Sequence, residues 1–408
     1  MRKNTVADLA IFGGPRLFTT PKPVGQLDAP PVEDYLALLR IPYDARYLSN
    51  DGPLVRRLED KLCEYHGVRH CLAVANAALG LTMLMQLFGQ GKQGEVIMPA
   101  FSYRGLPHFA QWAGQMPKFC DVDPVTQGLD PAAVESCISE KTTSILVVCN
   151  FNSPGLIDEL CAVGARHNIP VILDSVYGLG SSYKGKLLGG FAHAEVFSTH
   201  ATKLLNGFEG GYITTNDDDL AAMLRWQRTF CLHGLRPPAA DKWPHGLGLN
   251  AKLNELHAAM ALACLERLGG VIERNKARYE GYKAAIAGIP GLSLMPYLED
   301  KTEKRNYEMA VLDVDKSWPL TRDQILALLK AEGAAISPYY SPPLHKSPHS
   351  PAGMTPPDLP VSESLATRFV QLPVGEMVTL DDVAAVGAFL KFLHGHGAEI
   401  SPRMRKAA

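Results

Sequence analysis

Between residues 70 and 174 the chain alternates short apolar runs with amphipathic stretches, and few folds accommodate that rhythm. The runs are "HCLAVA", "GEVIMPA", "MPKFCDV", "TSILVVCNF" and "IPVILDS". Each has strand length, and several are apolar throughout, as strands buried on both faces are. Helical patterns stand between them, in "LGLTMLMQLFG", "GLPHFAQWAG", "DPAAVESCI" and "LIDELCAVGARHN". Strands alternating with helices predict βαβ units, a mostly parallel sheet and an α/β fold. In such sheets a ligand binds beyond the carboxyl ends of the strands.

A chain of 408 residues is too long for one small core. Residues 1–45 are Pro-rich and predict an extended N-terminal arm. "GPLVRRLEDKLCEYHG" then places Leu54, Val55, Leu58 and Leu62 at helical spacing, ended by Gly67. Residues 46–250 form the expected large α/β domain. Residues 251–408 predict one long helix through "LNELHAAMALACLERLGGVIERNKARYEGYKAAI" and a smaller C-terminal α+β domain. That part has a strand near "YEMAVLDV" and helices in "TRDQILALLKAEG" and "LDDVAAVGAFLKFLHGHG". "SPYYSPPLHKSPHSPAGMTPPDLP" reads as a long loop.

Net charge is −2, which gives no standing attraction to nucleic acid or to an anionic membrane. Eight cysteines occur without a CxxC or zinc spacing and read as free thiols in a reducing, cytoplasmic setting. No metal site is expected. The N-terminus shows no apolar core or cleavage site of a signal peptide, and no apolar run reaches membrane-spanning length.

Three segments fall at predicted strand ends: "AVANAALG" (73–80), "VILDSVYG" (171–178) and "FSTHATKLLNGFEGG" (197–211). Taken singly each has a plain explanation. The first is a small-residue turn opening a helix, Asp174 is a cap or turn residue, and a lone lysine is ordinarily solvated. Together they match the needs of pyridoxal 5'-phosphate. That cofactor requires a lysine for the Schiff base, a carboxylate that keeps its ring nitrogen protonated, and backbone amides at a helix start for its phosphate.

The joined motifs resemble the DegT/DnrJ/EryC/StrS sugar aminotransferases, which have the fold type I of pyridoxal phosphate enzymes. "FSTHATK" resembles the family's FSxHATK signature. "FEGGYITTNDDDLA", "LSNDGPLVRRLEDKL", "MPAFSY", "FCDVDP" and "LNAKLNELHAAMAL" stand where the family places them. The resemblance spans residues 48–395. It implies that Lys203 forms the Schiff base and Asp174 pairs with the ring nitrogen. Ser198 and the helix start at Asn76, Ala77 and Ala78 would hold the phosphate, and Tyr103 would stack on the ring. Asn250 would reach the phosphate from a neighbouring subunit, which implies a homodimer with shared active sites. Lys203 would act as general base once freed, its ammonium pKa lowered by burial beside a cationic cofactor. The implied reaction moves an amino group from glutamate or glutamine, through pyridoxamine 5'-phosphate, to a nucleotide-linked keto sugar. "LLNGFEGG" and "LNAKLNE" resemble most the enzymes acting on dTDP-4-keto-6-deoxyhexoses.

Two positions depart from the family pattern. Tyr177 stands where Gln or His is common near the cofactor's phenolic oxygen; its hydroxyl can still donate a hydrogen bond. Ala78 stands where many members have Thr, a loss of about 1 kcal/mol of phosphate contact. Tyr339, Tyr340 and His345 either touch the sugar or diphosphate or belong to a Pro-stiffened surface loop. Three rivals remain. One is a non-sugar substrate or a reaction other than transamination, although family dehydratases carry His in place of the lysine. Another is a regulatory homologue without catalysis. The third, a dinucleotide-binding protein, lacks its GxGxxG.

Overall fold

The computed structural model describes residues 3–232, 248–298 and 302–407. Its centre is a seven-stranded sheet. In chain order the strands are β2 (His70–Val74), β3 (Glu95–Pro99), β4 (Met116–Cys120), β5 (Thr142–Val148), β6 (Val171–Asp174), β9 (Ala194–Ser198) and β10 (Gly211–Thr215). A short strand β1 (Lys22–Pro23) precedes them, and a hairpin of β7 (Ser182–Tyr183) and β8 (Lys186–Leu187) lies between β6 and β9. The spatial order is β2-β10-β9-β6-β5-β3-β4. Only β10 runs against its neighbours, β2 and β9. The rest of the sheet is parallel, as the strand–helix alternation predicts.

Alternate residues of each strand face opposite layers. Leu72, Val74, Val96, Met98, Leu146 and Val148 join one buried cluster, and Cys71, Ala73, Ile97, Ile145 and Val147 join the other. Both faces are therefore covered, which is why the strands read as unbroken apolar runs. Leu54, Val55, Leu58 and Leu62 of the helix Pro53–His66 are all buried. That helix begins with Pro at its first turn and stops at Gly67, whose φ of +67° suits glycine.

A third buried cluster holds the C-terminal part. It contains a sheet of β11 (Leu292–Leu294), β12 (Val311–Val314) and β14 (Phe369–Gln371), packed with the helices Arg322–Ala331 and Leu380–Ala407. The loop expected at 337–360 holds a 3-10 turn at Leu344–Lys346 and ends in the short helix Pro360–Leu365.

Two expectations are corrected. The first 45 residues are not an extended arm. Short 3-10 turns form at Val6–Asp8 and Ala10–Phe12, β1 pairs with β13 (Ala334–Ala335), and a helix covers Val32–Asp44. The cause is burial: Val6, Leu9 and Phe18 pack into the C-terminal cluster, and Lys3 meets the buried Glu332 at 2.8 Å. The prolines between residues 15 and 31 masked this pattern. The single long helix is two, Glu255–Leu265 and Leu268–Ile286. The break stands before the pair Gly269–Gly270, poor in helix propensity, and at Arg267, whose guanidinium turns to the buried Asp28 at 3.2 Å.

Candidate active site

Four of the predicted residues are set by the sheet itself. Asp174 is the last residue of β6 and Ser198 the last of β9, adjacent strands with the same direction. Asn76 follows β2 and caps the helix Ala77–Gly89, accepting a 2.8 Å hydrogen bond from the Leu79 amide. That bond leaves the first amides of the helix, at Ala77 and Ala78, aimed at the space above the strands. Lys203 sits in the turn between β9 and β10.

These residues line one cavity of about 360 Å³. Its walls carry Asn76, Ala77, Ala78, Tyr103, Asp174, Tyr177, Ser198, Lys203 and Tyr340. The backbone approach is close here: a Cβ on Gly211 would stand 2.6 Å from the Ala77 nitrogen, so glycine is required where β10 passes under the helix start.

Asp174 is buried and Lys203 half-buried on the lining of the same cavity. Asp174 is 6% exposed, and its Oδ1 accepts from the Val176 amide at 3.1 Å. Burial pushes its carboxyl up to about 6, against the opposing pull of the Val176 amide and Lys203. The Lys203 ammonium lies 3.6 Å from the centroid of the Tyr177 ring. The lowering expected of its pKa belongs to the state with a cationic cofactor beside it, and the chain by itself strikes a different balance. Burial does lower it, but Tyr177, Glu308 and Asp174 together outweigh that effect and hold it above the usual lysine range.

Three predicted residues stand outside the cavity lining. Asn250 is exposed, bridges Thr229, and accepts a hydrogen bond from Lys252. Tyr339 is wholly buried, its ring centroid 4.0 Å from that of Tyr340, so it backs a cavity wall. His345 is buried and faces Glu363 at 3.1 Å. Tyr103 lies at the mouth with half its surface exposed. Sequence reasoning missed His200 and Thr202, which line the cavity and share a 2.8 Å hydrogen bond. Both stand inside the quoted "FSTHATK", so the signal was present. It also missed Glu308, which no motif marks.

The donor set suits pyridoxal phosphate: an amine and a carboxylate share one cavity, with a helix start and a serine hydroxyl at the side. Comparison with known proteins decides the family. The model of the DegT/DnrJ/EryC1/StrS aminotransferase family matches residues 33–391. The chain belongs to this aminotransferase family. GDP-perosamine synthase of Caulobacter vibrioides is 29% identical over 85% of this chain and 92% of its own. L-glutamine:2-deoxy-scyllo-inosose aminotransferase of Streptomyces fradiae is 31% identical over 97% of this chain and 100% of its own. The crystal structure of DesI in the presence of its TDP-sugar product superimposes with a TM-score of 0.90 at 34% identity, covering 98% of this chain and 100% of that one. The fold is that of the pyridoxal phosphate aminotransferases of fold type I. Among the described residues of this family member, no helix is long and apolar enough to cross a membrane.

Proposed function

We propose that this chain moves an amino group from glutamate or glutamine to a nucleotide-linked keto sugar, a dTDP-4-keto-6-deoxyhexose. The observation that carries this is the placing of Lys203 and Asp174 in one buried cavity beside the start of the helix Ala77–Gly89. The 34% identity to DesI, whose crystal structure was solved with a TDP-sugar product, supports the sugar class. Bound there, pyridoxal phosphate supplies an aldehyde for the amine and a ring that withdraws electrons from the reacting carbon.

The chain's residues supply the rest. The amides of Ala77 and Ala78 and the Ser198 hydroxyl hold the phosphate. The Asp174 carboxylate keeps a proton on the ring nitrogen. Lys203 Nζ would be the anchoring amine and, once free, the base at hand for the donor's α proton. Tyr177, whose ring centroid lies 3.6 Å from that amine, would steady it, and its hydroxyl would be the donor for the phenolic oxygen.

A second acceptor is favoured by one comparison, a cyclitol ketone, because the scyllo-inosose enzyme matches nearly the whole chain. The deciding experiment loads the protein in its amine form and adds ketones one at a time. Return of the visible absorbance band with dTDP-4-keto-6-deoxyglucose, and not with GDP-linked ketones or 2-deoxy-scyllo-inosose, is the expected outcome. A response to the cyclitol alone replaces the sugar by the cyclitol. A protein that never takes up the amino group from glutamate or glutamine has another reaction.

We also propose a homodimer. The helix Val32–Asp44 exposes Val32, Leu36, Ile41 and Tyr43, and Phe208 and Leu256 continue that apolar surface through Tyr35. A patch of this kind is ordinarily covered. A second copy over it would explain why Asn250 lies outside its own chain's cavity. Mixing Lys203→Ala with Asn250→Asp chains tests this, since each mixed dimer then carries one intact site. Recovery of about a quarter of the wild-type activity is expected for random pairing of equal amounts. No recovery on mixing, with subunit exchange verified, refutes the shared site.

A further inference from the structure

Two buried carboxylates, Glu308 and Asp174, pull on Lys203, and the proposed chemistry occupies only one of them. Asp174 approaches from the end of β6. Glu308 approaches from the segment that leads into β12 and is 3% exposed. Its Oε2 has no hydrogen-bond partner. An acid buried in this way is costly unless a charge answers it.

The backbone holds Glu308 against the lysine turn by two clamps. Gln26, wholly buried, donates its side-chain amide to the Glu308 carbonyl at 2.7 Å, and its backbone N–H to the Thr202 carbonyl at 3.0 Å. One residue thus ties Glu308 to the neighbour of Lys203. Asn306 is the second clamp. Its Nδ2 donates to the carbonyls of Tyr177 at 2.8 Å and Leu179 at 2.9 Å, and its Oδ1 accepts the Glu308 amide at 3.1 Å. Gln26 is itself held by Asn275, which meets Arg278 at 2.9 Å. The N-terminal segment, the lysine turn and the C-terminal part therefore converge on this acid.

We propose that Glu308 is the charge partner of Lys203, a positioning residue that acts through the amine and sets the pH at which it carries a proton. The inference rests on Lys203 being the cofactor lysine. In that state the ring nitrogen engages Asp174, and Glu308 is the acid left to balance the amine. The groups facing the pair are Asp174, Tyr177 and Tyr340 from the cavity wall and Tyr297 from the cluster behind Glu308. Burial pushes the Tyr297 and Tyr340 hydroxyls up, so near pH 7 they set no charge against the amine. Burial pushes Glu308 up to about 7, and Lys203 pulls it down.

The test uses the full chain without cofactor, so it reads the pair and not the reaction. Acetylation of Lys203 by acetic anhydride is followed against pH by mass analysis of its peptide, in wild type and Glu308→Gln. The expected result is displacement of the variant's profile to lower pH, with labelling at least about tenfold faster at a fixed pH on the rising limb, the equivalent of one pKa unit. An unmoved profile overturns the proposal. So does a rate raised equally at every pH, which marks loosened packing. Should Glu308→Gln fail to fold, Lys203→Met supplies the reciprocal reading. Its infrared spectrum near neutral pH must show buried protonated carboxyl that is weak in wild type and reduced in Lys203→Met/Glu308→Gln, where Asp174 alone remains; an equal band in the single and double variants refutes the pair. If the pair is found but borohydride leaves no cofactor on Lys203, the function fails and the charge partnership stands.

Discussion

Lys203→Ala is expected to lower amino transfer by at least about 10⁴-fold. A positioned general base contributes about 10²–10⁴-fold, and in the proposed reaction this residue also provides the covalent anchor. The helix start at Ala77 and the Ser198 hydroxyl remain, so the variant should still bind the cofactor, more weakly. Two readouts accompany the rate. Borohydride reduction leaves the cofactor's mass on the wild-type peptide containing Lys203 and on no peptide of the variant. A small primary amine added to the variant restores part of the rate, because the missing group is a diffusible base. Activity within tenfold of wild type, or cofactor mass fixed to another lysine, would remove Lys203 from the chemistry.

The variant also bears on the charge balance. Lys203 is the cation that answers Asp174 and Glu308, and its removal leaves both acids to protonate. The cofactor-free variant should therefore take up protons at a higher pH than wild type.

How much of this site could be read from the sequence follows from where each residue stands. Asp174, Ser198 and Asn76 were legible because each is at the end of an apolar run, and the parallel sheet places those ends side by side. Lys203 was legible because it stands among small and hydroxyl residues in the connection between β9 and β10. Glu308 and Gln26 carry no such frame. They meet the lysine turn only through tertiary packing, and a lone Glu between Tyr307 and Met309 reads like any strand-edge charge. The folded N-terminal segment was hidden for a related reason. Val6, Leu9 and Phe18 are spaced too irregularly for one helix or strand, and their burial depends on a distant cluster. The lowered pKa expected of Lys203 belongs to the state with a cationic cofactor beside it; in the chain alone Tyr177, Glu308 and Asp174 raise it against burial.

Asp174→Asn should separate function from stability, with opposite signs. In the folded chain burial raises this carboxyl from an ordinary value of about 3.9 to about 6. An acid raised in this way gives its full stability below the unfolded value and loses it as pH climbs through the folded one. The difference is worth about 3 kcal/mol above pH 6. Asparagine does not titrate, so the cofactor-free variant escapes that cost. That cost is already net of the attraction to Lys203; asparagine keeps a weaker bond to the Val176 amide, and the net gain expected at pH 8 is about 1–3 kcal/mol. The gain should shrink between pH 6 and pH 4, which denaturant titrations at the two ends will measure. Function moves the other way. Asparagine cannot hold a proton on the ring nitrogen electrostatically, so negative charge arising at the reacting carbon has no sink. Turnover should fall by about 10³-fold, a loss typical of removing one preorganised charge-stabilising group. Cofactor affinity should fall by about 10–100-fold, for one charge-assisted hydrogen bond. A variant that is less stable than wild type at pH 8, or that turns over at the wild-type rate, would show that this carboxylate is not held ionised for the cofactor. On the proposed reading, the stored cost of a buried acid and the catalytic power of the site are one property: a poorly solvated Asp174 gains most from a cationic ring.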